Sequence, residues 1–216
     1  MTYLNIKSLL HEATVFAERE STYGEPSLYR VTDGKAIGTY LEQKFRTYLT
    51  ENYYFQLGNS ASGIDFPELR IDIKTTSIKQ PQSSCPFKSA RQKIYGLGYG
   101  ILVFVYEKSD NDTEQTAQLN MKHTIYVGQS RTADYQMTRG IIEILERDGN
   151  HDDLVAFIND KNLPVDEIEA NNLAEAILQA PPVQGYLTIS NALQWRLQYS
   201  RVIQQAGQIE GVQRLR

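Results

Sequence analysis

The stretch Gly63-Ile-Asp-Phe-Pro-Glu-Leu-Arg-Ile-Asp-Ile-Lys-Thr-Thr-Ser77 decides how the middle of this chain folds. Its second half alternates charged and apolar residues, which is the two-residue period of a β-strand with one buried face. Ile71 and Ile73 therefore point into a core, while Asp72 and Lys74 lie together on the opposite face. The strand is expected to hold those two charges rigidly at the edge of the core.

The segments around this strand predict an α/β fold. Apolar residues at helical spacing predict amphipathic helices within residues 1–20 and from Asp33 to about Thr50. The apolar, β-branched run Ile101–Tyr106 predicts a central strand covered on both faces, and Lys122–Val127 predicts the next strand. Helical periodicity returns from Asp134. We therefore predict one α/β domain over residues 1–216, with a small mixed sheet flanked by helices and a mostly helical extension over residues 134–216.

Turn residues predict where the chain changes direction. Pro67 is expected in a turn, because proline cannot donate to a central strand ladder. Three further segments rich in polar and turn residues predict connectors or loops, namely Asn59–Gly63, Gln80–Pro86 and Ser109–Gln118.

A last helix is expected from about Ser190, with an apolar side formed by Leu193, Trp195, Leu197, Val202 and Ile203.

The composition indicates an ordinary globular protein. Apolar residues make up 41% of the 216 positions and charged residues 22%, which argues against global disorder. Cys85 is the only cysteine, so the chain has no intrachain disulfide and no cysteine zinc site. No run of apolar residues approaches a signal peptide or a membrane span. These features predict a protein of a reducing cytosol, with no membrane partner.

Two acids and an amine near one strand suit phosphodiester hydrolysis. Mg²⁺ binds oxygen ligands and needs only one or two carboxylates besides water and a substrate phosphate. Asp65 and Asp72 supply carboxylates, the backbone carbonyl of Ile73 adds a third oxygen, and Lys74 can orient the attacking water. Mn²⁺ is expected to substitute for Mg²⁺. The competing interpretation is a solvated strand face with a surface ion pair, since Asp-x-Lys triplets are common.

These residues also resemble a known superfamily. Asp65 together with Asp72-Ile-Lys74 resembles the PD-(D/E)XK signature of many type II restriction endonucleases. The similarity is closer to the MutH-type mismatch-repair endonucleases and their restriction-enzyme relatives. In that group a helix carries a lysine, a glycine and an active-site glutamate, and a small-residue turn leads to Asp-Phe-Pro-x-Leu-Gly-x-Glu-Leu-Lys-Thr. The positions that match here are Lys35-Ala-Ile-Gly38, Glu42, Gly58, Ser60 and the run from Asp65 to Thr76.

The resemblance covers residues 35–77 and implies a restriction-endonuclease-like core that cleaves DNA. It implies Asp65, Asp72 and Lys74 as the catalytic core, with Glu42 as a fourth acid carried by a helix. Two positions depart from the subgroup, since Asp72 stands where glutamate is usual and Arg70 where glycine is usual. Beyond residue 77 there is no match to mismatch-repair enzymes, which favours a restriction enzyme.

The chain is acidic overall, but its basic residues are concentrated beside the predicted catalytic strand. The net charge is −4, whereas residues 70–93 carry six basic residues against one acid. Phosphate contacts position a protein on DNA and base-edge contacts specify sequence, so both polar and basic residues matter. A solvated basic loop is the alternative. The residues that we predict to contact DNA are Lys35, Lys79, Gln80, Gln82, Ser83, Ser84, Lys88, Arg91 and Lys93.

Three functions remain open at this stage. The first is a type II restriction endonuclease that cleaves double-stranded DNA at a short site with Mg²⁺, as a homodimer if the site is palindromic. The second is a repair-type nicking endonuclease that acts as a monomer with partners. The third is a non-catalytic DNA-binding module in which the acidic cluster is structural. Unassisted double-strand cleavage would favour the first, and binding without cleavage under any divalent metal would favour the third.

Overall fold

The computed structural model describes residues 1–58, 63–84, 88–190 and 195–216. The described α-helices are α1 (Ile6–Glu20), α2 (Gly34–Thr50), α3 (Arg91–Tyr95), α4 (Tyr135–Leu145), α5 (His151–Asp160), α6 (Glu167–Gln179) and α7 (Ser200–Gln205). The described strands are β1 (Thr2–Tyr3), β2 (Gly24–Glu25), β3 (Tyr53–Tyr54), β4 (Ile71–Ser77), β5 (Gln82–Ser84), β6 (Gly100–Asn111), β7 (Thr116–Val127), β8 (Thr188–Ile189), β9 (Arg196–Gln198) and β10 (Val212–Arg214). Two short 3₁₀ helices span Pro26–Leu28 and Gln129–Arg131.

The main sheet is mixed, with β6 and β7 at its centre. Strand β4 pairs with β6 in parallel, and β6 pairs with β7 antiparallel. Both β10 and β2 pair with β7, so the strand order is β10-β7-β6-β4 with β2 attached to β7. This arrangement confirms the predicted α/β architecture, a small mixed sheet flanked by helices. It also confirms that Ile71–Ser77 and the apolar run that begins at Ile101 form strands.

Alternate residues of β6 enter two different cores. One core packs α1 and α2 against the sheet and includes Ile71 and Ile73 of β4 as well as Phe104. The other core lies on the opposite face, where Val103 of β6 packs with residues of the C-terminal segment such as Tyr199. The sequence prediction of a central strand buried on both faces is therefore confirmed. A third core joins α3, α4, α5 and α6 to each other.

The predicted loop over Ser109–Gln118 is wrong. Strands β6 and β7 continue as a long hairpin, in which Asn111 pairs with Thr116 and only residues 112–115 form the turn. The Asn111 side chain stabilises this turn, because its Oδ1 accepts hydrogen bonds from the backbone N–H groups of Thr113 and Glu114 at 3.0 and 3.2 Å. The alternation of buried residues that begins at Ala117 is the sequence signal for this strand.

The C-terminal prediction is wrong in part. The mostly helical pattern predicted from Asp134 is present as α4, α5 and α6. The expected last helix from Ser190 is instead divided into strand β9 and the six-residue helix α7. Strand β9 pairs with both β5 and β8, which also converts part of the predicted Gln80–Pro86 loop into a strand. Backbone pairing across more than 110 residues overrides the local helical spacing here. Leu193 and the predicted connector over 59–62 lie outside the described residues, as do Cys85 and Pro86.

The first two helices agree with the sequence prediction. Helix α2 begins directly after Asp33, whose carboxylate accepts a 2.9 Å hydrogen bond from the backbone N–H of Lys35 and so caps the helix. Its buried stripe includes Ile37, Leu41 and Phe45.

Across the described ranges, none of the helices combines the length and apolar character that a bilayer span requires.

Candidate active site

A tight turn positions the first predicted acid against the strand that carries the second. Phe66 and Ile71 bridge each other across the turn, and the backbone N–H of Arg70 donates to the carbonyl of Pro67 at 3.2 Å. Pro67 thus lies in a turn, as predicted. The backbone N–H of Ile73 then donates to Asp65 Oδ2 at 2.7 Å, which fixes the carboxylate beside β4.

Two positions of the endonuclease pattern described above, Gly58 and Arg70, favour glycine for steric reasons. Arg70 has a φ of +52°, in the left-handed region that glycine enters without steric cost. At Gly58, a Cβ atom would lie 1.8 Å from the backbone oxygen of Ile64, so no larger residue fits without a shift of the chain. The Gly58 N–H also donates to the carbonyl of Asp65 at 2.9 Å. Ser60 of the same pattern lies outside the described residues.

The predicted catalytic residues meet in one cavity of about 340 Å³. Asp72 and Lys74 line it from β4, and Lys74 Nζ lies 2.5 Å from Asp72 Oδ2. Asp65 lines it from the turn and Glu42 from α2. Ile73 also lines the cavity although its side chain is buried in the helical core, so its contribution is main chain. The two carboxylates, the lysine and the helix-borne glutamate are therefore brought together in one cavity.

Burial and crowding shift the pKa values of these groups. Burial raises the pKa of Glu42 to about 7, and the negative charge of Asp65 adds to the effect. Burial also raises the pKa of Asp72, with Asp65 again adding to it, although the charge of Lys74 opposes the shift. For Lys74, burial favours the neutral amine, but the surrounding carboxylates outweigh it and the pKa is raised. The cavity therefore holds an excess of negative charge in a poorly solvated space.

The residues of this cavity fit a divalent cation. Asp72 Oδ2 is buried and has no well-directed hydrogen bond among the described groups, although Lys74 lies close to it. Asp65 and Asp72 repel each other electrostatically, and a cation between them would relieve that repulsion. A tight cluster of three or more acid, histidine or cysteine side chains is absent from the described ranges. Two carboxylates, those of Asp65 and Asp72, nevertheless suffice for Mg²⁺ when water and substrate complete its shell.

A larger cleft of about 1000 Å³ adjoins this cavity, since both are lined by Glu42 and Lys74. Lys35 lines the cleft near the start of α2. The opposite side is formed by the end of β4 and by β5, where the Ser83 hydroxyl also contacts the Tyr199 hydroxyl at 2.5 Å. The remaining predicted DNA contacts that line this cleft are Lys79, Gln80, Gln82 and Ser84.

Three predicted DNA contacts lie elsewhere. Lys88 and Arg91 are exposed near α3, and the Arg91 guanidinium lies 4.5 Å from the centre of the Tyr95 ring. Lys93 is buried, with Nζ 5.5 Å from the centre of the Trp195 ring. Burial lowers the pKa of Lys93, and Asp134 partly offsets the shift. The expectation that this lysine offers an exposed cation is corrected, because packing against Trp195 removes it from the surface.

Two arginines at the site were not predicted from the sequence. Arg46 lies one helical turn after Glu42 on α2, lines the same cavity and forms an ion pair with Asp65 through Nη2 and Oδ1. The spacing of four residues was the available signal for it. Arg196 lines the cleft because β9 pairs with β5, where it lies opposite Ser84. That pairing is non-local and leaves no signal in the sequence around Arg196.

Two comparisons with known proteins give matches over nearly the whole chain. The profile of the family described as Type II restriction enzyme NspV matches residues 3–214. A curated relative from Nostoc sp., named Type II restriction enzyme NspV, is 67% identical over 212 residues, which cover 98% of this chain and 96% of that protein. No solved structure gives a significant match.

Proposed function

This chain belongs to the NspV family of type II restriction enzymes, and from that premise we propose that it cleaves double-stranded DNA at a short specific site. We assign the chemistry to Asp65, Asp72, Lys74 and Glu42. The observation that carries this assignment is the cavity that these four side chains share, beside a cleft lined by basic and polar residues. We further propose that the chain is a MutH-like member of the PD-(D/E)XK superfamily.

The proposed cofactor is Mg²⁺, which Mn²⁺ can replace. Asp65, Asp72 and the backbone carbonyl of Ile73 would hold the ion through oxygen atoms. When bound, such an ion offsets the negative charge of the phosphate and lowers the pKa of coordinated water. The hydrogen bond from the Ile73 N–H keeps the Asp65 carboxylate beside the strand, so both acids are positioned before the ion arrives.

The other two side chains serve the attack on phosphorus. The Lys74 ammonium orients the attacking water and offsets the charge that develops on the phosphorane oxygens. The raised pKa of this lysine keeps it protonated for that role at neutral pH. Glu42, whose pKa is about 7, can accept a proton from the water at its carboxylate. A carboxylate with an unperturbed pKa would be a weaker base.

The cleft supplies the proposed DNA surface. Lys35 and Lys79 are suited to phosphate contacts, which position the duplex. Gln80 and Gln82 can read base edges, since an amide can pair with adenine in the major groove. Lys88 and Arg91 would contact only DNA that extends beyond the cleft. Ser83 and Ser84 add hydroxyl groups between these two sets.

We also propose the organisation in which this site works. The chain acts as one nuclease domain, and two copies form a homodimer that matches a palindromic site and cuts each strand once. The bacterial cytoplasm is the proposed compartment. Sedimentation of the purified protein with and without DNA tests the dimer, because a monomer in both states would contradict it.

Digestion of a large DNA with Mg²⁺, followed by sequencing of the fragment ends, tests the function. We expect discrete fragments that share one short sequence at their ends, from both strands. The Lys74→Ala variant serves as the matched inactive control. Failure of the intact protein to produce discrete fragments with Mg²⁺ or with Mn²⁺ would refute the proposal, and single-strand nicks alone would favour the repair-type activity.

A further inference from the structure

Helix α2 brings a cation as well as an acid into the proposed metal site. Glu42 and Arg46 are one turn apart and both line the cavity that contains Asp65, Asp72 and Lys74. Among the described residues, three carboxylates and two cations therefore line this cavity. Each aspartate has its own counter-ion, since Lys74 contacts Asp72 and Arg46 contacts Asp65.

The ion pair of Arg46 competes with the proposed metal for one carboxylate. Asp65 Oδ2 accepts the hydrogen bond from the Ile73 N–H, and Oδ1 accepts the hydrogen bond from Arg46 Nη2. Both oxygens of this proposed ligand are therefore already engaged by the chain. A divalent cation that binds Asp65 through Oδ1 must displace the guanidinium, because two positive charges cannot share that position without strong repulsion.

The Arg46 guanidinium has an unsatisfied hydrogen-bond donor besides its ion pair with Asp65. Arg46 Nε is buried and has no hydrogen-bond partner among the described residues, so the ion pair with Asp65 is what holds the guanidinium in place. A buried guanidinium nitrogen without a partner is unfavourable, and a rotation that exposes it to water or to a phosphate oxygen removes that cost. Displacing the Arg46 guanidinium from Asp65 therefore costs less free energy than displacing a fully hydrogen-bonded arginine would.

We propose that Arg46 is a counter-ion that occupies the place of the metal at Asp65 and leaves it when a divalent cation binds. Once displaced, the guanidinium contacts an oxygen of the scissile phosphate, because the cavity opens to the DNA cleft through Glu42 and Lys74. Arg46 thereby lowers the metal affinity of the free enzyme and assists cleavage of bound DNA. This inference rests on the proposed nuclease function and deepens it.

Removal of the charge at residue 46 tests the proposal. Arg46→Met keeps an unbranched, largely apolar side chain but removes the guanidinium and its charge, and Gln43→Met is a matched control at an exposed position of the same helix. Calorimetric titration with Mn²⁺, without DNA, should show that Arg46→Met binds the ion about tenfold more tightly than the intact protein, the effect of removing a competing ion pair of ordinary strength. Arg46→Lys and Gln43→Met should keep the original affinity.

Cleavage of plasmid at saturating Mn²⁺ provides the second measurement. Arg46→Met should cleave about tenfold or more slowly although it binds metal more tightly. A merely structural arginine would not combine these effects, since its loss would weaken both. Arg46→Gln, which keeps a hydrogen-bond donor, replaces the methionine variant if thermal unfolding indicates that the latter does not fold.

The outcomes separate the two proposals. If the intact protein binds Mn²⁺ and cleaves DNA, but a folded Arg46 variant binds Mn²⁺ with the same or lower affinity, the counter-ion role is refuted and the nuclease assignment stands. If the intact protein neither binds Mn²⁺ nor cleaves, the nuclease assignment itself fails and this inference fails with it.

Discussion

Asp65 and Ile73 are joined by a 2.7 Å hydrogen bond from the backbone N–H of Ile73 to the Asp65 carboxylate, across the turn that separates them. This bond connects the segment before the turn to strand β4. It brings the Asp65 carboxylate next to Asp72, which is the neighbour of Ile73 in that strand. A main-chain donor thus positions Asp65 through Oδ2, while the other carboxylate oxygen, Oδ1, pairs with Arg46.

Replacement of Asp72 by asparagine should weaken metal binding. The amide has the same shape but lacks the charge that attracts a divalent cation, so we expect the Kd for Mn²⁺ to rise about tenfold or more. Isothermal calorimetry of the variant without DNA measures this change. Asp152→Asn, a neutralisation at an exposed acid in the first turn of α5, is the control and should bind Mn²⁺ normally. Equal affinities for both variants would exclude Asp72 as a ligand.

Loss of the lysine should separate binding from chemistry. Lys74→Ala leaves both aspartates in place, so we expect DNA binding to be kept while the cleavage rate falls by about 10²–10³-fold. Gel-shift measurements without metal and plasmid cleavage with Mg²⁺ test the two parts. Lys122→Ala removes a lysine that pairs with Glu107 on the protein surface, and this control should cleave at the normal rate. Normal turnover by the Lys74 variant would contradict its assigned role.

The raised pKa of Glu42 predicts how stability depends on pH. Because burial raises this pKa from 4.5 in the unfolded chain to about 7, protonation of Glu42 stabilises the fold below pH 4.5, and the contribution is lost as pH rises through 7. Glu42→Gln mimics the protonated form at every pH. Without metal, the variant should therefore gain roughly 1–3 kcal/mol of unfolding free energy relative to the intact protein between pH 5 and pH 8.

Urea unfolding of both proteins at these two pH values measures this difference. The same titration should affect activity, since Glu42 must be ionised to accept a proton. At subsaturating Mg²⁺ the single-turnover cleavage rate should rise as pH increases through about 7. Parallel stability curves for Glu42→Gln and the intact protein would contradict the buried, perturbed state of this carboxyl group.

Local sequence patterns predicted the centre of the site because its geometry is local. The alternation of Ile71 and Ile73 with Asp72 and Lys74 defines which face is buried, and Pro67 marks the turn. A strand segment and its adjoining turn depend mainly on backbone sterics and burial, which neighbouring residues determine. The resemblance supplied Glu42, which no periodicity within the strand could identify.

The side of the cleft formed by β5 and β9 could not be predicted in this way, because it depends on contacts between distant segments. Strand β5 forms because it pairs with β9. From local sequence alone, a loop was predicted at β5 and a helix at β9. The sequence presents Lys93 as one of several basic residues, and only the structure shows that Trp195 packs against it. Tertiary pairing overrode local propensity in both cases.

Arg196 is the residue at which this non-local pairing has a measurable consequence. Its position in the cleft opposite Ser84 predicts a phosphate contact, so Arg196→Ala should reduce the slope of log K for DNA against log salt by about 0.9. Binding measured at several salt concentrations gives this slope. Arg91→Ala, outside the cleft, should change it less on a short duplex. A larger effect at Arg91 would mean that the DNA runs along α3 instead.

Arg70 allows a test of the turn itself. The φ of +52° costs an ordinary residue about 1 kcal/mol, whereas glycine adopts it freely but loses more entropy on folding. Arg70→Gly should therefore leave the unfolding free energy unchanged or raise it by up to about 1 kcal/mol, with normal cleavage. Arg70→Val should lower it by about 1–2 kcal/mol, because a β-branched side chain fits this conformation worst.

Denaturant unfolding of the two variants decides between a backbone effect and a side-chain effect. If Arg70 stabilises the protein through its charge, both substitutions should destabilise it to a similar degree. If the backbone conformation dominates, only valine should do so, and the cleavage rate of that variant should also fall. The loss of cleavage follows because the turn holds Asp65 against the N–H of Ile73, and a distorted turn would move that carboxylate away from Asp72.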